Sequence, residues 1–286
     1  MMASQANSRA NSQVTSQATG PARAVHSPVG LGLGRLFARY PILSRAVSLG
    51  LFFLAWEIAG RVPISYAFPT FSATAYALAT MMADGSLFVA YGSTLQPLII
   101  GIAISGIVGV VLGIVMGLSR TAEWLVAPLF IVLQSAPMAA LIPLITFVYG
   151  IGLAAKTLAV IMLALPVIVL NGYKAVRNAN PSLVAMCHSF QGTRLQQITK
   201  IIVPDASPVI FAGLRLGLAA GFIGVILAEL LITPTGIGDL ITYHRSVANY
   251  AEMYAAVVSI ILVSTMTLAA LEAFEVRVLR PEKRKG

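Results

Sequence analysis

Apolar residues in this chain come in long, almost unbroken runs separated by short polar stretches. Six runs stand out, at roughly 42–60, 92–118, 125–149, 153–173, 209–231 and 253–274. Each is near or above the ~20 residues a helix needs to cross the hydrocarbon of a bilayer. The pattern predicts an all-α integral membrane protein with about six transmembrane helices.

The polar stretch between the fourth and fifth runs is too ordered for a linker. Asn180 before Pro181 is a helix start, a capping side chain followed by proline at the first helical position. Leu183, Val184, Met186, Cys187 and Phe190 give that short helix an apolar character, and Gly192 breaks it. Thr193-Arg-Leu-Gln196 has the form of a capping box, and Leu195, Ile198, Ile201 and Ile202 then share a face. Val203 precedes Pro204, which predicts that the second short helix stops there. Two short helices around a turn suggest docking to something that moves them.

Composition fits this pattern. The chain is 58% hydrophobic and only 10% charged, against roughly 25% charged in soluble domains. Its formal charge of +9 raises nucleic acid as a partner, but the basic residues flank apolar runs, so none is expected. Of the 19 Lys and Arg, fifteen fall on one side of the six runs when the N-terminus is placed in the cytoplasm. Arg61, Lys156 and Arg245 fall on the other side, and Arg215 lies inside a run. That bias predicts cytoplasmic termini and a cytoplasmic 174–208 stretch. Residues 1–41 read as a basic, disordered tail, with a transit peptide as the alternative; 281–286 are a second basic tail. Cys187 is the only cysteine, so an intramolecular disulfide is impossible.

Within the runs, small residues are the main packing signal. Gly109, Gly113 and Gly117 recur every four residues in the second run, and Gly213, Gly217 and Gly221 do so in the fifth. Such stripes let another backbone approach closely, for plain helix packing or beside a substrate path. The third run carries Pro128, Pro137 and Pro143, each removing a backbone donor. Gln134, Ser135, Thr146 and Tyr149 around those prolines are candidate pathway residues, structural kinking being the other reading. Of the ionisable residues inside runs, Glu57, Arg215 and Glu229 stand out. Each costs about 3 kcal/mol by insertion scales unless paired or facing a cavity. Arg215 is near enough to the cytoplasmic end to snorkel, Glu229 is a candidate for an outer gate, and Glu57 is read as interfacial.

Enzymatic constellations are missing. His26, His188 and His244 occupy three separate segments without metal-ligand spacing, and there is no GxxxxGK[ST] or GxSxG. Neither catalysis nor a bound metal is expected.

HSFQGTRLQQITKIIVP (188–204) resembles the EAA loop of permease subunits of bacterial ABC importers, whose pattern runs E-A-A, three residues, G, nine residues, I, x, L, P. Aligned on Pro204, Ile201 and Val203 take the I and L positions. Ala185, Met186 and Cys187 fall on E-A-A, and Gln191 replaces the usual Gly, with Gly192 available to take over the turn. The runs STLQPLIIGIAISGIVGVVLGIVMGLSR (93–120), APMAALIPLITFVYGIG (136–152) and PDASPVIFAGLRLGLAAGFIGVILAEL (204–230) also resemble that permease core. The likeness covers 43–280 and looks nearest to nitrate, taurine, aliphatic sulfonate and pyrimidine-precursor importers.

The resemblance implies a type I importer permease domain over 42–280 in the bacterial inner membrane, carrying a cytoplasmic coupling loop at 174–208. It implies a second permease subunit, expected to be a copy of this chain, a dimer of ABC ATPases and an extracytoplasmic substrate-binding protein. ATP and Mg would sit on the ATPase, with no cofactor on this chain. The transported solute would be small and polar or anionic. Ser189, Phe190, Gln191, Gly192, Thr193 and Arg194 would form the ATPase contact, with Phe190 either the apolar anchor or packed on its own bundle. An ATPase-independent secondary transporter or channel is the alternative.

Overall fold

The computed structural model describes residues 41–62, 66–232 and 234–279. The expected basic tails at 1–41 and 281–286 lie almost wholly outside those residues. The chain divides into two compact units, 1–56 and 57–286. In the first, the described part is most of helix α1 (Pro41–Arg61), where Phe52 meets Phe53 and Trp56 edge-on.

The second unit carries α2 (Phe71–Ala83), α3 (Ser86–Leu118), α4 (Arg120–Ser135), α5 (Met138–Tyr149) and α6 (Leu153–Arg177). It continues with α7 (Pro181–Ser189), α8 (Arg194–Gln197), α9 (Val203–Leu231), α10 (Ile237–Ser246) and α11 (Tyr250–Leu279). Among the described residues, α3, α6, the continuous run Arg194–Leu231 and α11 are long and apolar enough to cross a membrane.

Helix α6 is the core, and glycines determine how closely its neighbours approach. A Cβ on Gly113 would stand 2.9 Å from Val169 O and 3.0 Å from Tyr173 N, so α3 crosses α6 backbone to backbone. Gly109 and Gly117 lie against Ile168 and Val176 of the same helix. On the other flank, Gly213 faces Asn171, Gly217 faces Ile168, and Gly221 lies between Ile102 and Val160. A Cβ on Gly224 would fall 2.8 Å from Ala159 O. Both glycine stripes therefore bear mainly on α6, which is itself rich in small buried residues such as Ala155, Ala159, Ala164 and Gly172.

Three expectations are corrected. The third run is not one kinked span but two helices, α4 and α5, meeting at 101°. Of its prolines only Pro137 marks the break, at the N-cap of α5; Pro128 and Pro143 stand inside helices. The second short helix does not stop at Pro204. Ile198–Ile202 widen into a π turn in which Val203 N–H reaches back to Ile198 O, and the helix runs on to Leu231. Pro204 then falls in the first turn of α9, where its missing N–H is tolerated. Finally, α2 and α10 lie in stretches the six-run reading left unassigned.

Candidate functional site

Two places concentrate polar chemistry: the 180–205 loop and a buried knot at the opposite end of α9.

In the loop, the Asn180 carboxamide oxygen accepts from Ser182 N–H at 2.9 Å, and Asn180 N–H donates to Asp205 Oδ2 at 2.8 Å. That second bond ties the start of α7 to the start of α9. The far end of α7 is closed by two bonds, Gly192 N–H to Cys187 O at 2.9 Å and Gln191 N–H to His188 O at 3.0 Å. This is the Schellman pattern, which demands a left-handed residue at the position Gln191 occupies. Gln191 indeed has φ +55°. Gly192 does not take over the turn as expected; its role is steric, since a Cβ there would collide with the Cys187 side chain and stand 3.0 Å from its carbonyl oxygen. The Thr193 capping box forms, with Thr193 N–H to Gln196 Oε1 at 2.8 Å and Gln196 N–H to Thr193 Oγ1 at 3.3 Å.

The result is a rigid tip that presents apolar side chains outward. Phe190 is 82% exposed and Leu195 71%, so Phe190 does not pack on its own bundle. Ser189, Gln191, Thr193 and Arg194 are also exposed, and Gly192 is half-buried. A cavity of about 400 Å³ beneath the tip is lined by Leu118, His188, Gly192, Arg194, Gln197, Ile198 and Ile202.

The knot centres on Glu229, 2% exposed. Lys156 Nζ lies 2.8 Å from its Oε1, with both side chains almost fully enclosed. Lys156 spends its remaining donors on Thr235 O at 2.9 Å and Thr235 Oγ1 at 3.0 Å. Thr94 Oγ1 donates to the carboxylate at 2.9 and 3.0 Å and accepts Ile237 N–H at 3.0 Å. Gly238 N–H completes the shell at 3.0 Å from Oε2. Burying a carboxylate and an ammonium is costly unless their hydrogen-bonding positions are filled; here they are.

Sequence reasoning found Glu229 but counted Lys156 only as a cation on the outer side and passed over Thr94 and Thr235. It also left Arg215 to snorkel. Instead Arg215 lies 3.4 Å from Glu272 and 3.2 Å from Glu275, two acids of α11. Glu57 is bound by Arg61 at 2.8 Å and by Ser72 N–H at 2.9 Å.

The other pathway candidates are not gathered with Glu229. Gln134 and Ser135 are exposed at the end of α4, with Ser135 Oγ donating to Val132 O at 2.9 Å. Thr146 Oγ1 donates to Pro143 O at 2.8 Å, and Tyr149 is 61% exposed. Ile142 connects the two regions, packing beside Ala159 and Ala228.

Residues 109–280 match the family described as binding-protein-dependent transport system inner membrane component. The formylaminopyrimidine transport permease protein ThiX of Halalkalibacterium halodurans is 26% identical over 84% of this chain and 98% of its own length. The taurine transport system permease protein TauC of Escherichia coli is 25% identical over 68% of this chain and 70% of its own. In the fold alone, a chain from inward-facing structures of the MetNI methionine ABC transporter superposes with a TM-score of 0.54 at 18% identity, covering 68% of this chain and 97% of that one. The chain belongs to the family of binding-protein-dependent transport system inner membrane components, and it is a transmembrane permease subunit of an ABC importer.

Proposed function

We propose that this permease takes its driving force from a separate pair of ABC ATPases through the tip at Ser189–Arg194, and that its solute is small and polar or anionic. The observation that carries the coupling assignment is Phe190. An aromatic ring 82% exposed, on a turn closed by a Schellman pair on one side and a capping box on the other, fits an anchor that waits for a groove. The helix behind it runs unbroken from Arg194 to Leu231. A push on the tip is thereby carried along α9 to the end that holds Glu229.

The remaining partners follow from the family and from the chain's chemistry. A second copy of this chain would complete the pathway, and an extracytoplasmic binding protein would deliver the solute. ATP and Mg would be held by the ATPases. Both termini and the 174–208 loop face the cytoplasm on this reading, as the distribution of Lys and Arg indicates. ThiX and TauC are named for a pyrimidine and for taurine, which supports a small polar solute.

The test is copurification. Phe190→Ala should weaken association with the cognate ATPase by ~2 kcal/mol or more, the hot-spot range. Arg194→Ala, on an exposed side chain, should cost roughly 0–1 kcal/mol. Full retention of the ATPase by Phe190→Ala would remove the tip from the coupling path.

A further inference from the structure

The segment between α9 and α10 is held by groups from three other elements. Thr94 comes from α3, Lys156 from α6 and Glu229 from the last turns of α9, and they are 1%, 3% and 2% exposed. Their bonds go to backbone or side-chain atoms of Thr235, Ile237 and Gly238. The segment is shaped to accept this grip. Gly236 has φ +98°, and a Cβ on it would overlap the Glu229 carboxylate. A Cβ on Gly238 would overlap Glu229 Cβ and stand 2.9 Å from Leu230 N. Ile237, between the two glycines, is 0% exposed and packs among Ala77, Met81, Leu87, Ala90 and Ala255. Outside the knot, a cavity of about 430 Å³ is lined by Ser93, Thr235, Gly236, Asp239 and Leu240 among others. The gripped segment thus separates a buried ion pair from an accessible space.

We infer that Lys156, Thr94 and Glu229 form a latch: Lys156 and Thr94 are positioning residues that orient the Glu229 carboxylate, and together they hold the 234–238 strap shut over the end of the pathway opposite the coupling tip. This rests on the permease reading for its function, and on the hydrogen-bond geometry for its mechanics. A carboxylate with all its partners in place holds two backbone segments at once. Loss of any one partner leaves a buried charge or an unpaired N–H, so the strap has two states, gripped and released.

The latch is tested with a thiol under the strap. Ile237→Cys in a Cys187→Ser background is expressed with the native partners, and its rate of modification by a membrane-impermeant maleimide is measured in intact cells and in inside-out vesicles. Thr94→Val keeps shape and both charges while removing the hydroxyl. Lys156→Met combined with Glu229→Gln removes the ion pair without leaving a lone charge. Each should raise the labelling rate of the introduced thiol at least five-fold, with transporter yield within two-fold of the parent. A Lys156→Arg variant with Glu229 intact, which keeps the ion pair, should retain at least half of the protection that the double variant loses. Labelling within two-fold of the parent for both Thr94→Val and the double variant overturns the latch. So does failure of Thr94→Val to assemble, which would make the knot a folding element. The side from which the introduced thiol is modified reports topology separately, so an error there is distinguishable from an error in the latch.

Discussion

The crossing of α3 on α6 makes a prediction whose sign reverses within one helix. At Gly113, an added Cβ would meet Val169 O at 2.9 Å, Tyr173 N at 3.0 Å and Gly172 C at 3.1 Å. All three are backbone atoms, so no rotamer change can relieve the overlap, and the helices must separate by a few tenths of an ångström or more. Overpacking of this kind costs about 1–3 kcal/mol. A rigid backbone neighbour puts Gly113→Ala near ~3 kcal/mol, because dispersion contacts along the crossing are lost together. Alanine's better helix propensity returns about 1 kcal/mol, leaving a net loss of about 2 kcal/mol. Gly92, on the same helix, has nothing within 4 Å of a built Cβ. There Gly92→Ala keeps only the propensity gain, about 1 kcal/mol. At roughly 2–4 °C per kcal/mol for chains approaching this size, Gly113→Ala should lower the melting temperature of the detergent-purified protein by about 4–8 °C. Gly92→Ala should raise it by about 2–4 °C. Thermal unfolding followed by fluorescence-detected gel filtration measures both. If Gly113→Ala is as stable as the parent, α3 and α6 do not cross backbone to backbone there.

Other outcomes follow from single sites. Glu229→Gln alone leaves Lys156 charged and buried without a counter-ion, so it should cost about 3–5 kcal/mol and sharply lower the yield of folded protein; a yield equal to the parent would place the pair in water. Gln191→Gly removes the left-handed strain, ~1 kcal/mol, against a similar gain in unfolded-chain entropy; stability should stay within ~0.5 kcal/mol. Gly192→Ala, forced against Cys187, should increase limited proteolysis of the 188–196 segment, and equal protection of both variants would contradict the turn geometry. Cys187 should react with an impermeant maleimide in inside-out vesicles and not from outside intact cells; external labelling would invert the topology.

Much of the fold was legible because its signals are local. Run length gave the long helices, Asn180-Pro181 gave the start of α7, and Thr193 with Gln196 gave a capping box whose two bonds are both present. What stayed hidden depended on distance. Lys156 and Glu229 are 73 positions apart, and a lone lysine soon after Gly-Ile-Gly reads as an outer-side cation until another helix brings its acid. Arg215 reads as a snorkelling cation near the cytoplasmic end, because its acids, Glu272 and Glu275, stand on α11, far away in sequence. Pro204 misled for a different reason. Proline normally disfavours helix before it, but a π turn changes the bonding pattern just upstream, and no residue pattern announces that. The loop's departure from the family's Gly has a backbone reading too, since Gln191 adopts the conformation a glycine would take more easily.

The coupling claim is tested most directly by asking what Phe190 touches in the assembled transporter. A photoreactive phenylalanine analogue at Phe190, irradiated in native membranes, should yield a crosslinked product containing this chain and the ATPase. Phe147 is a matched control, being 88% exposed near the end of α5, and the analogue there should give no such product. ATP-driven closure should change the yield at Phe190, since the contact is expected to move with the ATPase. Equal ATPase crosslinking from both positions, or none from Phe190, would contradict the account.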